Sequence, residues 1–465
     1  MAVTRFEPSG PLRGWLRPPS DKSISHRAAL IAAMGEGETE IGGYLDAADT
    51  RSTLAAVEAL GADVVLGEKA MTASAPPGWS GPRPPIRSAP SLGALIRGVG
   101  LRGARSATID VGNAGTLLRL LPGWLAGQEG EEWTLDGDES IRRRPVDRIA
   151  IPLREMGADL SARDDRLPPL TVRGAPLRGI SYELPIASAQ VKSCLLFAGL
   201  LAAGETRVIE PMPTRDHSER MLAAAGASVE VTEAPAASGR SGAAAARLVT
   251  IRPAERLEPG PIAVPADLSS AAFFAVAATL VEGSDLILEQ VGINPTRTGL
   301  LTILERMGAS IEVEPTGEEG GEPTARLRVR PAPLRATEVG GAEVPLAIDE
   351  LPLVALAACF AEGTTTIRDA AELRRKESDR IATVSAALGA LGGMVEATED
   401  GMVVEGTGGL RGGAIDSHGD HRIAMLGAVA GLASRDGVGV AGMEAAAVSY
   451  PGFEADLSSL LGSRR

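Results

Sequence analysis

The sequence predicts a mixed α/β protein of two domains, each built from three copies of one unit. Three observations carry that expectation. One pattern recurs six times: a capped apolar helix, a Gly-x-Thr-like exit, a strand, a turn, a second helix, a Leu/Met-Gly-Ala ending and a further strand. Proline- and glycine-rich text between Ala234 and Pro265 interrupts the chain after the third copy. Finally, 465 residues, 44% of them hydrophobic, suffice for several cores.

The first helix of each copy starts near Asp21, Asn113, Ser188, Asp267, Asp349 and Asp420. Clear exits are Gly37-Glu38-Thr39, Gly204-Glu205-Thr206, Gly283-Ser284-Asp285 and Gly363-Thr364-Thr365. Second helices end at Leu60-Gly61-Ala62, Met156-Gly157-Ala158, Ala225-Gly226-Ala227, Met307-Gly308-Ala309 and Leu391-Gly392-Gly393, with a truncated sixth ending at Leu461-Gly462. Glycine after the last turn is the expected helix stop. Alternating tails such as Val229-Glu230-Val231 read as strands. Residues 20–260 would form the first domain. The strand-like first 19 residues would join 261–465 in a discontinuous second one. The Pro-rich stretch Ala75–Pro90 reads as a loop.

Composition narrows the class. With 3% aromatic residues, the core must be aliphatic. A net charge of −14 argues against a nucleic-acid partner, though a local basic pocket for small anions remains open. Met1–Arg5 leads into no apolar run, and the run at Ala271–Val281 is too short to span a bilayer. Cys194 and Cys359 sit in apolar helical runs and read as buried free thiols in a reducing cytoplasm. There are 42 Arg and four Lys: Lys22, Lys69, Lys192 and Lys376. Where Lys is retained, its compact charge can also exchange a proton.

The functional candidates cluster at helix starts. In Pro18-Pro19-Ser20-Asp21-Lys22-Ser23-Ile24-Ser25-His26-Arg27, Ser20 or Asp21 can cap a helix whose positions 24, 28 and 31 face a core. Lys22 stands at the positive end of that helix, which makes sense if an anion binds there with Ser23 and Arg27. Gly112-Asn113-Ala114-Gly115-Thr116 opens a helix after a strand and suits a phosphate or carboxylate, or only a tight turn. Arg142-Arg143-Arg144 concentrates guanidiniums before a helix. Ser188 begins Ser188-Ala189-Gln190-Val191-Lys192-Ser193, and Thr214 is the expected cap of the helix at Arg215-Asp216-His217. Asp349 begins an apolar helix, as a cap or as a proton acceptor. Lys376 and Arg380 are four apart and would share a helical face beside Glu377. Asp420-His421-Arg422 again puts cations at a helix start. No pair of His or Cys has metal-ligand spacing, so no metal is expected. Recurring at equivalent points of the unit, these groups would line a cationic cleft between two domains.

Taken together and in order, Ser20–Arg27, Gly112–Thr116, Ser188–Ser193, Thr214–Glu219, Asn294–Gly299, Leu373–Arg380 and Asp420–Arg422 resemble the EPSP synthase family, nearly end to end. Ala187–Ser193 and Arg215–Glu219 are similar to its class II branch. The resemblance implies the enolpyruvyl transferase fold, an inverted α/β barrel of two domains with three βαβαββ units each. It implies transfer of the enolpyruvyl group of phosphoenolpyruvate to the 5-hydroxyl of 3-phosphoshikimate, in the shikimate route to aromatic amino acids. No cofactor would be needed, and the partners would be those two small molecules, with no nucleic acid or membrane. A cytoplasmic monomer is expected.

The resemblance also assigns roles. Lys22, Ser23, Arg27, Ser188, Ala189 (through its backbone), Gln190 and Thr214 would hold 3-phosphoshikimate, with Asp349 and Lys376 on the same side. Lys22, Asn113, Gly115, Arg144 and Gln190 would meet phosphoenolpyruvate at its phosphate, and Arg380 and Arg422 at its carboxylate. Asp349 would accept the 5-hydroxyl proton, and Glu377 with Lys22 would handle the proton at the methylene carbon. Gly115 would border the space that the inhibitor glyphosate occupies, and a glycine there predicts inhibition. Against the best-known branch, this chain has Glu372 in place of Asn and Ala189 in place of a second Ser, and it lacks a C-terminal Lys near Val448–Pro451. The rival is the transferase acting on UDP-N-acetylglucosamine. Ser23 after Lys22, and the lack of Cys between 111 and 147, argue against it. A non-enzymatic scaffold would not need Lys22, Asp349, Glu377 and Arg422 together.

Overall fold

The computed structural model of the chain describes residues 2–68, 91–234 and 246–461. The expected loop at 75–90 lies outside the described residues, as do Lys69, most of the text just after Ala234, and Gly462.

Six sheets are present among the described residues, five of four strands and one of three. In one, Glu38–Leu45 pairs parallel with Ile262–Ala263 and antiparallel with Ser91–Arg97, which pairs antiparallel with Asp63–Glu68. The same order of one parallel and two antiparallel pairings recurs around Glu132–Asp136, Thr206–Glu210, Asp285–Gly292 and Thr364–Ile367. The amino-terminal strands belong to late sheets: Val3–Phe6 pairs with Val438–Ala441, and Arg13–Leu16 with Asp285–Gly292.

Local chemistry sets the element ends. Asp21, Ser188, Asp267 and Asp420 each cap a helix by accepting from a backbone N–H two or three residues on. Gly61, Gly157, Gly226, Gly308 and Gly392 end the second helices at φ between 90° and 104°, where a Cβ is strained. Two expected caps are corrected. The helix His217–Ala224 has Asp216, not Thr214, at its N-cap position. Thr214 donates its hydroxyl to Glu210 instead, in a fully buried pair. Leu351–Ala358 has Glu350 at that position, so Asp349 does not cap the helix.

Two hydrophobic cores result. One gathers side chains from Ile24 to Val264. The other takes Leu12 and Leu16 together with side chains from Leu268 to Leu460. Helices Lys22–Met34 and Leu268–Leu280 are buried on almost every face and act as core helices rather than amphipathic ones. The chain passes from core to core twice, side by side. Asp21 N bonds Pro265 O and Asp267 N bonds Pro19 O, both at 2.8 Å. Both capped helices therefore start at one place and point their N-termini into one region.

Candidate functional site

That region is a cavity of about 380 Å³. Its walls come from both cores: Lys22, Ser23, Asn113, Gly115, Arg144, Ser188, Ala189, Gln190 and Thr214 from the first, Asp349, Lys376, Glu377, Arg380 and Arg422 from the second. Among the lining residues, nine are Lys or Arg and six are Asp or Glu. Helix N-termini, cations and carboxylates thus share one cleft, as anion recognition with proton transfer requires.

Of the residues to which the resemblance assigns a role, only Arg27 stays behind the wall, while Arg142 and Arg143 do not line the cavity. It is 2% exposed and donates to Ser218 Oγ at 2.7 Å and Ser193 Oγ at 2.9 Å. Lys22 Nζ donates to Asp49 Oδ2 at 2.9 Å. Asn113 Nδ2 donates to Asp138 and Ser140, and its Oδ1 faces Arg144 Nη2 at 3.4 Å. Ser188 Oγ serves as a cap, and Gln190 bridges Thr116 and Arg119.

Asp349 is the hub of the opposite wall. Its carboxylate binds Arg215 and also Lys376 and Arg380, the latter two at 3.2 Å each. Burial would raise this carboxyl, but Lys376, Arg215, Arg422 and Arg380 hold it well below the ordinary carboxylate range. Glu377 behaves likewise. Burial opposes its charge, while Arg380 (2.6 Å) and Arg144 (3.5 Å) lead the cations that keep it ionised. Burial pushes His421 down to about 3, so its imidazole is neutral. The helical face expected for Lys376 and Arg380 does not exist. A 3-10 turn, Ala371–Arg375, ends before Lys376, and a separate helix, Arg380–Ala390, follows. Both side chains still converge on Asp349 because the break folds them toward it.

Several participants were missed from sequence. Arg215 reaches Asp349 across the cleft. Arg148 grips Glu372 in bidentate fashion at 2.9 and 3.2 Å, which gives the departing Glu372 a partner. Asp420 orients Arg380, accepting from its Nε at 2.9 Å and Nη2 at 3.2 Å, and Glu350 faces Arg422 at 3.3 Å. Arg215, Arg297 and Asp420 lay inside quoted motifs, but no sequence spacing could show whom they meet. Between Asp21 and Asp267, Arg297 sits 3.5 and 3.1 Å away. Burial and Asp21 push the Asp267 carboxyl up to about 6.

One group of donors close enough for a metal ion occurs among the described residues: Asp216, His217 and Glu322, with atoms within 4.8 Å of one another. They are engaged with protein. His217 Nδ1 lies 2.7 Å from Glu322 Oε1, Asn294 Nδ2 spans Asp216 and Glu322 at 2.7 Å each, and Arg220 holds Asp216 at 3.0 Å. This cluster joins the two cores.

Comparisons with known proteins agree with this geometry. The family model for EPSP synthase (3-phosphoshikimate 1-carboxyvinyltransferase) matches residues 6–82 and 95–457. A 3-phosphoshikimate 1-carboxyvinyltransferase of Synechococcus sp. (strain JA-3-3Ab) is 46% identical over 99% of this chain and 97% of that protein. One from Alkalilimnicola ehrlichii is 48% identical over 96% and 93%. Among solved structures, an EPSP synthase from Acinetobacter baumannii superposes with a TM-score of 0.80 at 39% identity, covering 99% of this chain and 98% of that one.

Proposed function

The chain belongs to the EPSP synthase family, and from that premise we infer its reaction. It is a 3-phosphoshikimate 1-carboxyvinyltransferase of the shikimate pathway, on the route to aromatic amino acids. It joins the enolpyruvyl group of phosphoenolpyruvate to the 5-hydroxyl of 3-phosphoshikimate and releases phosphate. The UDP-N-acetylglucosamine reading is not favoured.

We propose that each domain follows its core, with residues 20–260 in one and residues 1–19 plus 261–465 in the other. The double crossing at Pro19–Asp21 and Pro265–Asp267 supports this division. 3-Phosphoshikimate would lie against Lys22, Ser23, Ser188, Ala189, Gln190 and Thr214, with Arg27 behind Ser23 and with Asp349 and Lys376 facing it. Phosphoenolpyruvate would place its phosphate at Lys22, Asn113, Gly115, Arg144 and Gln190, and its carboxylate at Arg380 and Arg422. We also propose that the chain works as a monomer. A cytoplasmic location fits the two buried free thiols.

The 5-hydroxyl oxygen attacks C2 of phosphoenolpyruvate and its proton passes to Asp349. The methylene carbon takes a proton from Glu377 or Lys22, giving a tetrahedral adduct. Collapse of the adduct returns a methyl proton to the same group and expels phosphate, which carries away the proton that Asp349 took from the hydroxyl. In the ligand-free cleft both carboxylates are ionised. Each substrate anion draws cations away from them, so their proton affinity rises as the site fills. Closure around the pair also excludes water from the adduct.

The observation that carries this reading is the enclosure of Asp349 and Glu377 among cations from both cores. Its test is phosphate release from the two substrates in excess chelator and without nucleotide. Turnover is expected. Activity lost with chelator and regained with a divalent ion would overturn the metal-free mechanism, and no turnover under either condition would overturn the reading itself.

A further inference from the structure

Lys192 is one of four lysines, and no role above uses it. It belongs to the helix Ala189–Gly199, and its side chain is 0% exposed. Its Nζ lies 2.9 Å from Glu210 Oε1 and 2.6 Å from Glu219 Oε1. Both carboxylates are buried as well. Glu210 ends the strand Thr206–Glu210, and Glu219 lies in the first turn of the helix His217–Ala224. One ammonium is therefore ion-paired to two other elements, at charge-pairing distance but outside hydrogen-bonding geometry.

Each of these elements leads to the 3-phosphoshikimate side of the cleft. Ser188 and Gln190 open the lysine's own helix. Beyond the strand, Thr214 donates its hydroxyl to Glu210, the same carboxylate that Lys192 holds. The third element supplies Ser218, which accepts from Arg27 and donates to Ser193 at 2.7 Å. The ammonium is a compact point charge, and its single nitrogen lies close to both carboxylates.

We propose that Lys192 is a positioning residue for 3-phosphoshikimate: by holding Glu210 and Glu219 it fixes Thr214, Gln190 and the serine pair around Arg27 in binding geometry. The proposal rests on the transferase reading above. Its competitor is a core ion pair that contributes only to stability.

Two variants decide between them, Lys192→Met and Lys192→Met/Glu210→Gln. The single variant strands two buried carboxylates and should lower Tm. The double variant removes a charge of each sign and should recover much of that loss. In both, KM for 3-phosphoshikimate should rise by roughly 10- to 100-fold, the scale of a misplacement near 1 Å. KM for phosphoenolpyruvate should rise much less, because only Gln190 among its proposed contacts lies on the lysine's helix, while Lys22, Asn113, Gly115, Arg144, Arg380 and Arg422 stand elsewhere. The proposal is overturned by a wild-type KM for 3-phosphoshikimate in either folded variant, or by an equal rise in both KM values. Failure of both variants to fold would assign Lys192 to the core and overturn it too. A wild-type enzyme inactive on the two substrates would instead refute the transferase reading.

Discussion

Gly115→Ala tests the phosphoenolpyruvate side of the cleft with one methyl group. Gly115 is the first residue of the helix Gly115–Leu125, and its φ is not positive. Alanine therefore fits the backbone and favours the helix by up to ~1 kcal/mol. The added Cβ would lie 2.5 Å from Arg144 Nη1, 3.5 Å from Cζ and 3.7 Å from Cδ. Ordinary contact needs roughly 3.5 Å or more, so the guanidinium must retreat by about 1 Å. In the empty cleft little resists, since among the described residues Arg144 Nη2 is held only by Asn113 at 3.4 Å and Glu377 at 3.5 Å. With a phosphate bound, the retreat breaks a charge-assisted hydrogen bond worth about 1.5–3 kcal/mol, or roughly 10- to 150-fold in affinity. KM for phosphoenolpyruvate should therefore rise with Tm unchanged or slightly higher. The wild type should be inhibited by glyphosate. As the longer ligand, it leaves Arg144 less room to withdraw, so its Ki should rise beyond KM by a further factor of about 10. Initial rates of phosphate release, at saturating 3-phosphoshikimate with and without glyphosate, give both constants. Unchanged constants would remove Gly115 from the site. An equal rise in both would refute the argument from ligand length.

Asp349→Asn should lower kcat by at least ~10²-fold, the scale of a lost general base. It should bind 3-phosphoshikimate no more weakly than wild type, because Arg215, Lys376 and Arg380 lose their carboxylate partner; near-normal kcat would reject the assignment. Asp456 is 2% exposed and accepts from Tyr450 Oη at 2.7 Å, and burial pushes its carboxyl up to about 6. The folded state thus keeps a proton that the unfolded chain releases near pH 4, so this group lowers stability as pH rises from about 4 to 6 and above. Asp456→Asn should accordingly be more stable than wild type at pH 8 by ~2–3 kcal/mol and gain little near pH 4. Urea melts at the two pH values check this, and equal gains would contradict it. Arg148→Glu would set like charges across the cleft rim in place of the pair with Glu372. The radius of gyration of the ligand-free protein should increase, and 3-phosphoshikimate with an unreactive phosphoenolpyruvate mimic should shrink it again. An unchanged radius in solution scattering would deny that pair a part in closure.

What the sequence made legible was local. Asp21, Ser188, Asp267 and Asp420 could be read as caps because the bond each accepts comes from a residue two or three positions away. The helix-ending glycines are similarly self-contained. Thr214 and Asp349 defeated the same rule, since cap-forming residue types bind whatever donor or cation the fold brings near. Thr214 meets Glu210 four residues back, and Asp349 meets Arg215, 134 residues away in sequence. The bidentate pair of Arg148 and Glu372 spans 224 residues and leaves no periodic trace. Lys376 and Arg380 show the reverse case, where the spacing misled about the helix yet both side chains still reach one carboxylate.

The cross-cleft pairs change the picture of closure that charge counting suggests. Cations alone would push the two walls apart until anions bridged them. Here the carboxylates Asp349, Glu372 and Glu377 already bridge them, paired with Arg215, Arg148 and Arg144. On the proposed assignment, a substrate anion would therefore enter by exchange: it would take a cation that was neutralising a carboxylate. That exchange limits the net gain in affinity, because an existing contact is lost for each one formed. It also leaves a buried carboxylate with fewer positive neighbours, and burial then drives its proton affinity upward. On the proposed assignment, recognition of the anions and preparation of the bases would be one electrostatic event. The proposed bases would stay weak until both substrates are in place, which would tie proton transfer to the filled site.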